Sequence, residues 1–188
     1  FKVLPDYLAV GADDDFMFMP LSPQAAQRIA DATAMSLPTP VMVDLIWQAA
    51  DHRFEPRPIP PSDAMTTLSV FVQHNQMLAA QRDSLGISPG GLRAGHKKDV
   101  VLSSRLNDVD GKVAIYGWHH PDGTPIQPVY TGHTDRWVDY SHGIRLVSRD
   151  VLVDGKTMDI RDVLADPDLA RLLSGEGVIS KPFYDSIQ

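Results

Sequence analysis

The stretch KVAIYGWHHPDGTPIQPVY, residues 112–130, decides the fold class. Lys112 to Gly117 is an apolar run with β-branched and aromatic side chains, and Ile126 to Tyr130 is a second one. Between them Pro121, Asp122 and Gly123 supply the turn chemistry of a hairpin. Working outward, Asp99 to Ser103 reads as a strand before this pair and Gly143 to Val147 as one after it, with Asn107 to Gly111 as a loop. Val151 to Lys156 adds a short strand and turn, and short helical pieces starting at Asp159 or Pro167 run to Leu173.

Upstream of residue 92 the pattern is helical. Ser22-Pro23 and Thr39-Pro40 each place an N-cap hydroxyl before a proline at the first helical position. The spacing predicts helices over about 22–35 and 39–50, joined as an αα-hairpin through Leu37 and Pro38. A third, over Met65 to Leu85, presents Leu68, Phe71, Val72, Met77, Leu78 and Gln81. The connector FEPRPIPPS, residues 54–62, has four prolines in nine positions and is predicted to cross the surface extended. Phe16 to Met19, after the acidic turn Asp13 to Asp15, reads as a strand. The expected fold is α+β: an N-terminal helical layer packed on a small, mainly antiparallel β-sheet. One domain is expected over 1–188, with its helical part at about 20–86 and its β-rich part at about 92–156.

Composition narrows the function. A net charge of −7, with 24 acids against 17 bases, argues against a nucleic-acid partner, because affinity for a phosphate backbone grows with accumulated Lys and Arg. No run of apolar residues is long enough for a transmembrane helix. The chain has no cysteine, so disulfides, thiol nucleophiles and thiolate metal sites are excluded. The start at Phe1, without an initiator Met or a signal-like segment, suits a processed chain, and a secreted or periplasmic location is expected, although a chain trimmed at both ends would look identical.

Five of the seven histidines fall between His96 and His142. Histidine titrates near neutrality and is the commonest metal ligand, so this segment is the candidate cleft. Its densest piece, residues 132–143, carries His133, Asp135, Asp139 and His142. The candidate catalytic residues are His142 or His133 as general acid or base, with Asp139 or Asp99 as partner. Lys98 and Arg145 are candidates to hold anionic groups, and Trp118 and Tyr140 to contact ligand. Ser141 is expected to act as a hydrogen-bond donor, because its side chain diverges from that of its neighbour His142. His120 shares a strand face with Trp118 in an extended chain and joins the substrate-binding set. No cofactor is required by this set; zinc remains an option through His133, Asp135, Asp139 and His142, although HExxH and HxH are absent.

The segment YSHGIRL, residues 140–146, resembles the signature of L,D-transpeptidases, in which a Ser-His-Gly triplet is followed by a nucleophilic Cys, an Ile or Val and an Arg. Ile115 to Gly117 and Gly132 stand where that family has an earlier His-Gly and a glycine. The likeness covers about thirty residues. The cysteine belongs between Gly143 and Ile144 and is missing, so the resemblance does not carry transpeptidation; it implies a ligand-facing corner at Ser141, His142, Gly143 and Arg145 and points to peptidoglycan. The functional expectation is an exported hydrolase acting on a cell-envelope or extracellular polymer, polysaccharide or peptidoglycan. The alternative is a non-catalytic carbohydrate- or peptide-binding module using the same aromatic and charged cleft. Oligomeric state is not legible in the sequence.

Overall fold

The computed structural model describes residues 1–87 and 90–185. In chain order its strands are β1 (Ala9–Gly11), β2 (Phe16–Phe18), β3 (Met35–Ser36), β4 (His52–Arg53), β5 (Arg93–Ala94), β6 (Lys98–Val101), β7 (Ala114–His119), β8 (Pro125–Tyr130), β9 (His142–Gly143), β10 (Val147–Ser148), β11 (Asp150–Val153) and β12 (Lys156–Asp159). The helices are α1 (Pro23–Ala32), α2 (Pro40–Ala49), α3 (Leu68–Ser84) and α4 (Ile160–Ala165). The chain is thus a mixed α+β protein. Among the described residues no helix is long and apolar enough to cross a membrane.

The central sheet has the order β8-β7-β6-β9. β6, β7 and β8 pair antiparallel, whereas β9 joins β6 in parallel, with Lys98 opposite His142. The β7–β8 hairpin turns where the sequence predicts: His120 N–H donates to Thr124 O and Gly123 N–H to His120 O, while Asp122 accepts from Thr124 N–H. The other paired strands form two-stranded ribbons. In the β11–β12 ribbon, Asp154 (φ 50°) and Gly155 (φ 79°) make the two-residue turn whose left-handed twist suits a hairpin.

Both proline-opened helices are capped as expected, Ser22 Oγ accepting from Ala25 N–H and Thr39 Oγ1 from Met42 N–H. They do not form the expected αα-hairpin. β3 lies between them and pairs with β10, so α1 and α2 are separated by a strand that their connecting residues contribute to a distant ribbon. Each long helix has its main strand contact with a different partner: α1 with β3, α2 with β7 and α3 with β2.

Two further expectations are corrected. α3 starts after a 3-10 turn (Asp63–Thr66) and buries His74, Leu78 and Gln81, leaving Leu68 and Val72 exposed. Its face is set by polar residues that find long-range partners, which hydrophobic spacing alone does not reveal. The strand expected at 143–147 is divided between β9 and β10, because the N-terminal residues run alongside it: Leu4 N–H donates to Leu146 O, Leu8 N–H to Ile144 O and Ser148 N–H to Lys2 O.

That N-terminal segment is locked by buried charge. Tyr7 OH donates to Asp99 Oδ2 at 2.8 Å, and the Arg145 guanidinium lies 4.1 Å from the Tyr7 ring centre while donating to Leu4 O and Arg93 O. Asp6 bridges Arg93 and His96, each at 2.9 Å. Around this knot the apolar core gathers residues from both halves of the chain, among them Ala26, Met42, Ile46, Val100, Ile115, Ile144, Leu146 and Ile160.

Gly143 sits where the knot and the central sheet meet. A Cβ there would lie 2.6 Å from Lys97 Cβ and 2.7 Å from the Tyr7 ring, closer than packed carbons approach. Gly143→Ala is expected to cost about 3 kcal/mol, the upper range for overpacking, and to lower the melting temperature by roughly 6–12 °C. Gly175→Ala, whose Cβ would meet only Val41 Cγ2 at 3.3 Å, serves as the control with a much smaller shift. Thermal melts of both variants test this; equal shifts would show that the contact at Gly143 is not limiting.

Candidate functional site

The site is built on a backbone turn. Asp139 O accepts from His142 N–H at 3.1 Å, and this turn brings Asp139 and His142 side by side despite their short sequence spacing. Asp139 Oδ1 accepts from both Ser141 N–H (2.8 Å) and Ser141 Oγ (2.5 Å). Its Oδ2 accepts from Trp137 Nε1 at 3.2 Å and stands 3.7 Å from His142 Nε2. These contacts and the His142 ring outweigh the effect of burial, which alone would raise the carboxyl, and hold Asp139 below the usual carboxylate range.

His142 is buried, and among the described residues neither ring nitrogen has a hydrogen-bond partner. Burial lowers its pKa to about 4 against the pull of Asp139, with Lys98, His133 and Lys97 adding to the depression. His133 lies beside it, ring centres 6.4 Å apart, and stacks on Trp137 at 5.0 Å with 12° between planes. This second imidazole is only half-buried. Burial lowers its pKa as well, aided by Lys98 and Lys112 and opposed by Asp139.

Lys98 comes from β6, opposite His142. It is half-buried, its Nζ 5.2 Å from the Trp118 ring centre, and burial lowers its pKa against the attraction of Asp139. Trp118 reaches this corner through a β-bulge. Gly117 (φ 102°) and Trp118 (φ 58°) both adopt left-handed backbone, and the β7–β8 register shifts there. A Cβ on residue 117 would press on Val43 Cγ1 at 3.2 Å, so glycine serves both the conformation and the fit. Trp118 is buried against His74 and Tyr140, with its Nε1 lacking a partner.

Below lies a buried lysine. Lys97 Nζ donates to Tyr140 O at 2.6 Å and is 3.0 Å from His74 Nδ1. Burial brings Lys97 down to about 7 and His74 to about 2. Tyr140 is itself committed: its OH donates to Ile59 O and accepts from Ile59 N–H, tying the proline-rich connector to the site.

Of the ten residues singled out from sequence, the structure gathers His133, Asp139, Ser141, His142, Lys98, Trp118 and Tyr140 in one region. Asp99 and Arg145 belong to the Tyr7 knot, where Asp99 is buried and pushed up to about 6, Arg145 and Tyr7 opposing. His120 is exposed in the β7–β8 turn. Its neighbour His119 bonds Asp44 Oδ1 at 2.9 Å, an oxygen that also accepts from Tyr116 OH. Trp137, Lys97 and His74, which are not among those ten, join the same region; His74, Leu78 and Gln81 lie at i, i+4 and i+7 and form the buried face of α3. Among the described residues no group of three or more His, Asp or Glu is gathered closely enough to hold a metal ion.

No protein-family model matches this chain, and no curated protein or solved structure matches it.

The buried histidines make stability depend on pH. His142 and His74 stay neutral in the folded chain down to about 4 and about 2, whereas unfolded histidine takes up a proton near 6.5. Between pH 6 and 4 the unfolded chain thus binds two protons that the folded chain refuses. Asp99 acts the other way, holding a proton in the fold below about 6 that the unfolded carboxyl releases down to 3.8. His96 and His133, also lowered by burial, add to the histidine side, so the net uptake on unfolding is at least about one proton and stability falls on acidification by at least about 1.4 kcal/mol per pH unit. Denaturant melts from pH 7 to 4 check this; a flat or inverted profile would show that these histidines are charged in the fold.

Proposed function

We propose that the chain is a hydrolase of a cell-envelope or extracellular polymer, and that it cuts an amide bond of peptidoglycan. The observation that supports this most is the placement of His133, His142 and Asp139 side by side, with the half-buried Lys98 acting on both rings. Asp139 is the carboxylate that acts on Lys98, His133 and His142 alike. Glycosidic cleavage normally uses two carboxyl groups across the bond, and the second candidate, Asp99, is committed to Tyr7. An amide needs one base and one oxyanion partner. The resemblance of residues 140–146 to L,D-transpeptidases favours the same substrate class, with water in place of the absent thiol.

In this mechanism His133, neutral and half-exposed, takes a proton from water as the resulting hydroxide adds to the amide carbonyl carbon. The Lys98 ammonium faces the negative oxygen that forms. Collapse of the tetrahedral intermediate breaks the C–N bond, and the proton on His133 passes to the departing nitrogen, leaving acid and amine. His142, Asp139 and Ser141 are positioning residues: the Ser141 donors fix the carboxylate, which accepts from Trp137, the ring on which His133 stacks, and His142 packs beside them.

His133→Ala removes a half-exposed side chain and is expected to leave the fold intact while reducing release of fragments from purified peptidoglycan by 100-fold or more, about the lower bound for loss of a general base. The acid limb of the wild-type kcat/KM profile is expected below pH 6.5, because burial lowers His133. Fragments resolved by mass spectrometry provide the readout. No release by wild-type protein removes the hydrolase assignment, and retained binding to peptidoglycan would then favour the binding-module alternative; equal release by the variant removes His133 as the base.

A further inference from the structure

A groove of ≈ 630 Å³ opens beside the site, lined by Leu21, Ala25, Phe71, Val138, Trp137 and Arg136. Its end wall is shared with the site. The Trp137 indole N–H holds Asp139 and the same ring stacks on His133, while the side chain remains 36% exposed. A ligand lying in the groove therefore contacts the side chain that positions the candidate base.

The lining also selects chemistry. Ser22 and Thr66 also line it, but Leu21, Ala25, Phe71, Val138 and the Trp137 ring make up the larger part, an apolar strip. An aliphatic side chain loses nothing by entering. Arg136 is exposed at the rim and makes no ion pair among the described residues, in a chain of net charge −7. A guanidinium beside an apolar strip matches a carboxylate adjacent to an aliphatic side chain. We propose that this groove is a peptide subsite that takes an aliphatic side chain and pairs the neighbouring carboxylate with Arg136, placing the peptide backbone alongside His133. The inference rests on the hydrolase reading for its purpose, but binding tests it separately.

The probes are acetyl-Leu-Glu-amide, acetyl-Leu-Gln-amide and chitotetraose, titrated calorimetrically against wild type, Arg136→Gln and Ala25→Phe. The Glu peptide is expected to bind wild type about tenfold more tightly than the Gln peptide, as a charge-assisted pair provides. Arg136→Gln should erase that difference, and Ala25→Phe should weaken both peptides by filling the groove. Peptide binding with this pattern in a protein that releases nothing from peptidoglycan upholds the groove and removes the hydrolase reading. Turnover of peptidoglycan without peptide binding, or binding indifferent to both groove variants, overturns the groove. Preferential binding of chitotetraose that Ala25→Phe abolishes overturns it too, by making it a glycan site.

Discussion

The buried knot of Tyr7, Asp99, Arg145, Asp6, Arg93 and His96 is the constraint on which the other elements depend. Burying a guanidinium and two carboxyl groups is costly unless each finds a partner, and here each does. The partners come from three distant parts of the chain, so satisfying them fixes how residues 2–8, the 93–99 segment and the 144–148 segment lie together. Removing any one group would leave another charged or polar atom buried alone, which is costlier than the pair is favourable. The knot is therefore better regarded as a device for one arrangement over others than as a large source of net stability.

On the other side of that arrangement, β6 supplies both halves of the molecule with charge. Asp99 joins the knot while its neighbour Lys98 joins the candidate site, and Lys97 supports the Tyr140 carbonyl beneath it. The bulge at Gly117 and Trp118 has a similar effect on β7. It directs Trp118 to Tyr140 and His74, while His119 goes to Asp44 and Trp47. Two adjacent strands thus divide their functional side chains between separate surroundings, and a rigid sheet holds the Lys98–His142 pairing at the junction.

Much of the fold was legible where local chemistry decides it. The hairpin through Asp122 and Gly123, the caps at Ser22 and Thr39 and the turn at Asp154 and Gly155 are local, and each has the backbone conformation that its residues favour. What was not legible depends on distant partners. His74 and Gln81 look like the polar side of a helix until Lys97 and the connector around Glu55 are brought against them. Gly143 to Val147 looks like one strand until the N-terminal residues occupy part of its edge. In the candidate site, seven of the ten residues singled out from sequence lie together, but Arg145 and Asp99 could be assigned to the knot only once Tyr7 was in place. Trp137 carried a weak signal, its position two residues before Asp139.

The clasp between Tyr140 and Ile59 acquires its meaning from the prolines around it. Four prolines in the nine residues 54–62 leave that segment few conformations even when unattached, so the two hydrogen bonds at Ile59, with Phe54 N–H donating to Ala94 O and Gln81 set against Glu55, are enough to orient it. The connector behaves as a splint with one of its fastenings in the candidate site, so the residue between Asp139 and Ser141 is joined directly to a segment some eighty residues earlier in the chain.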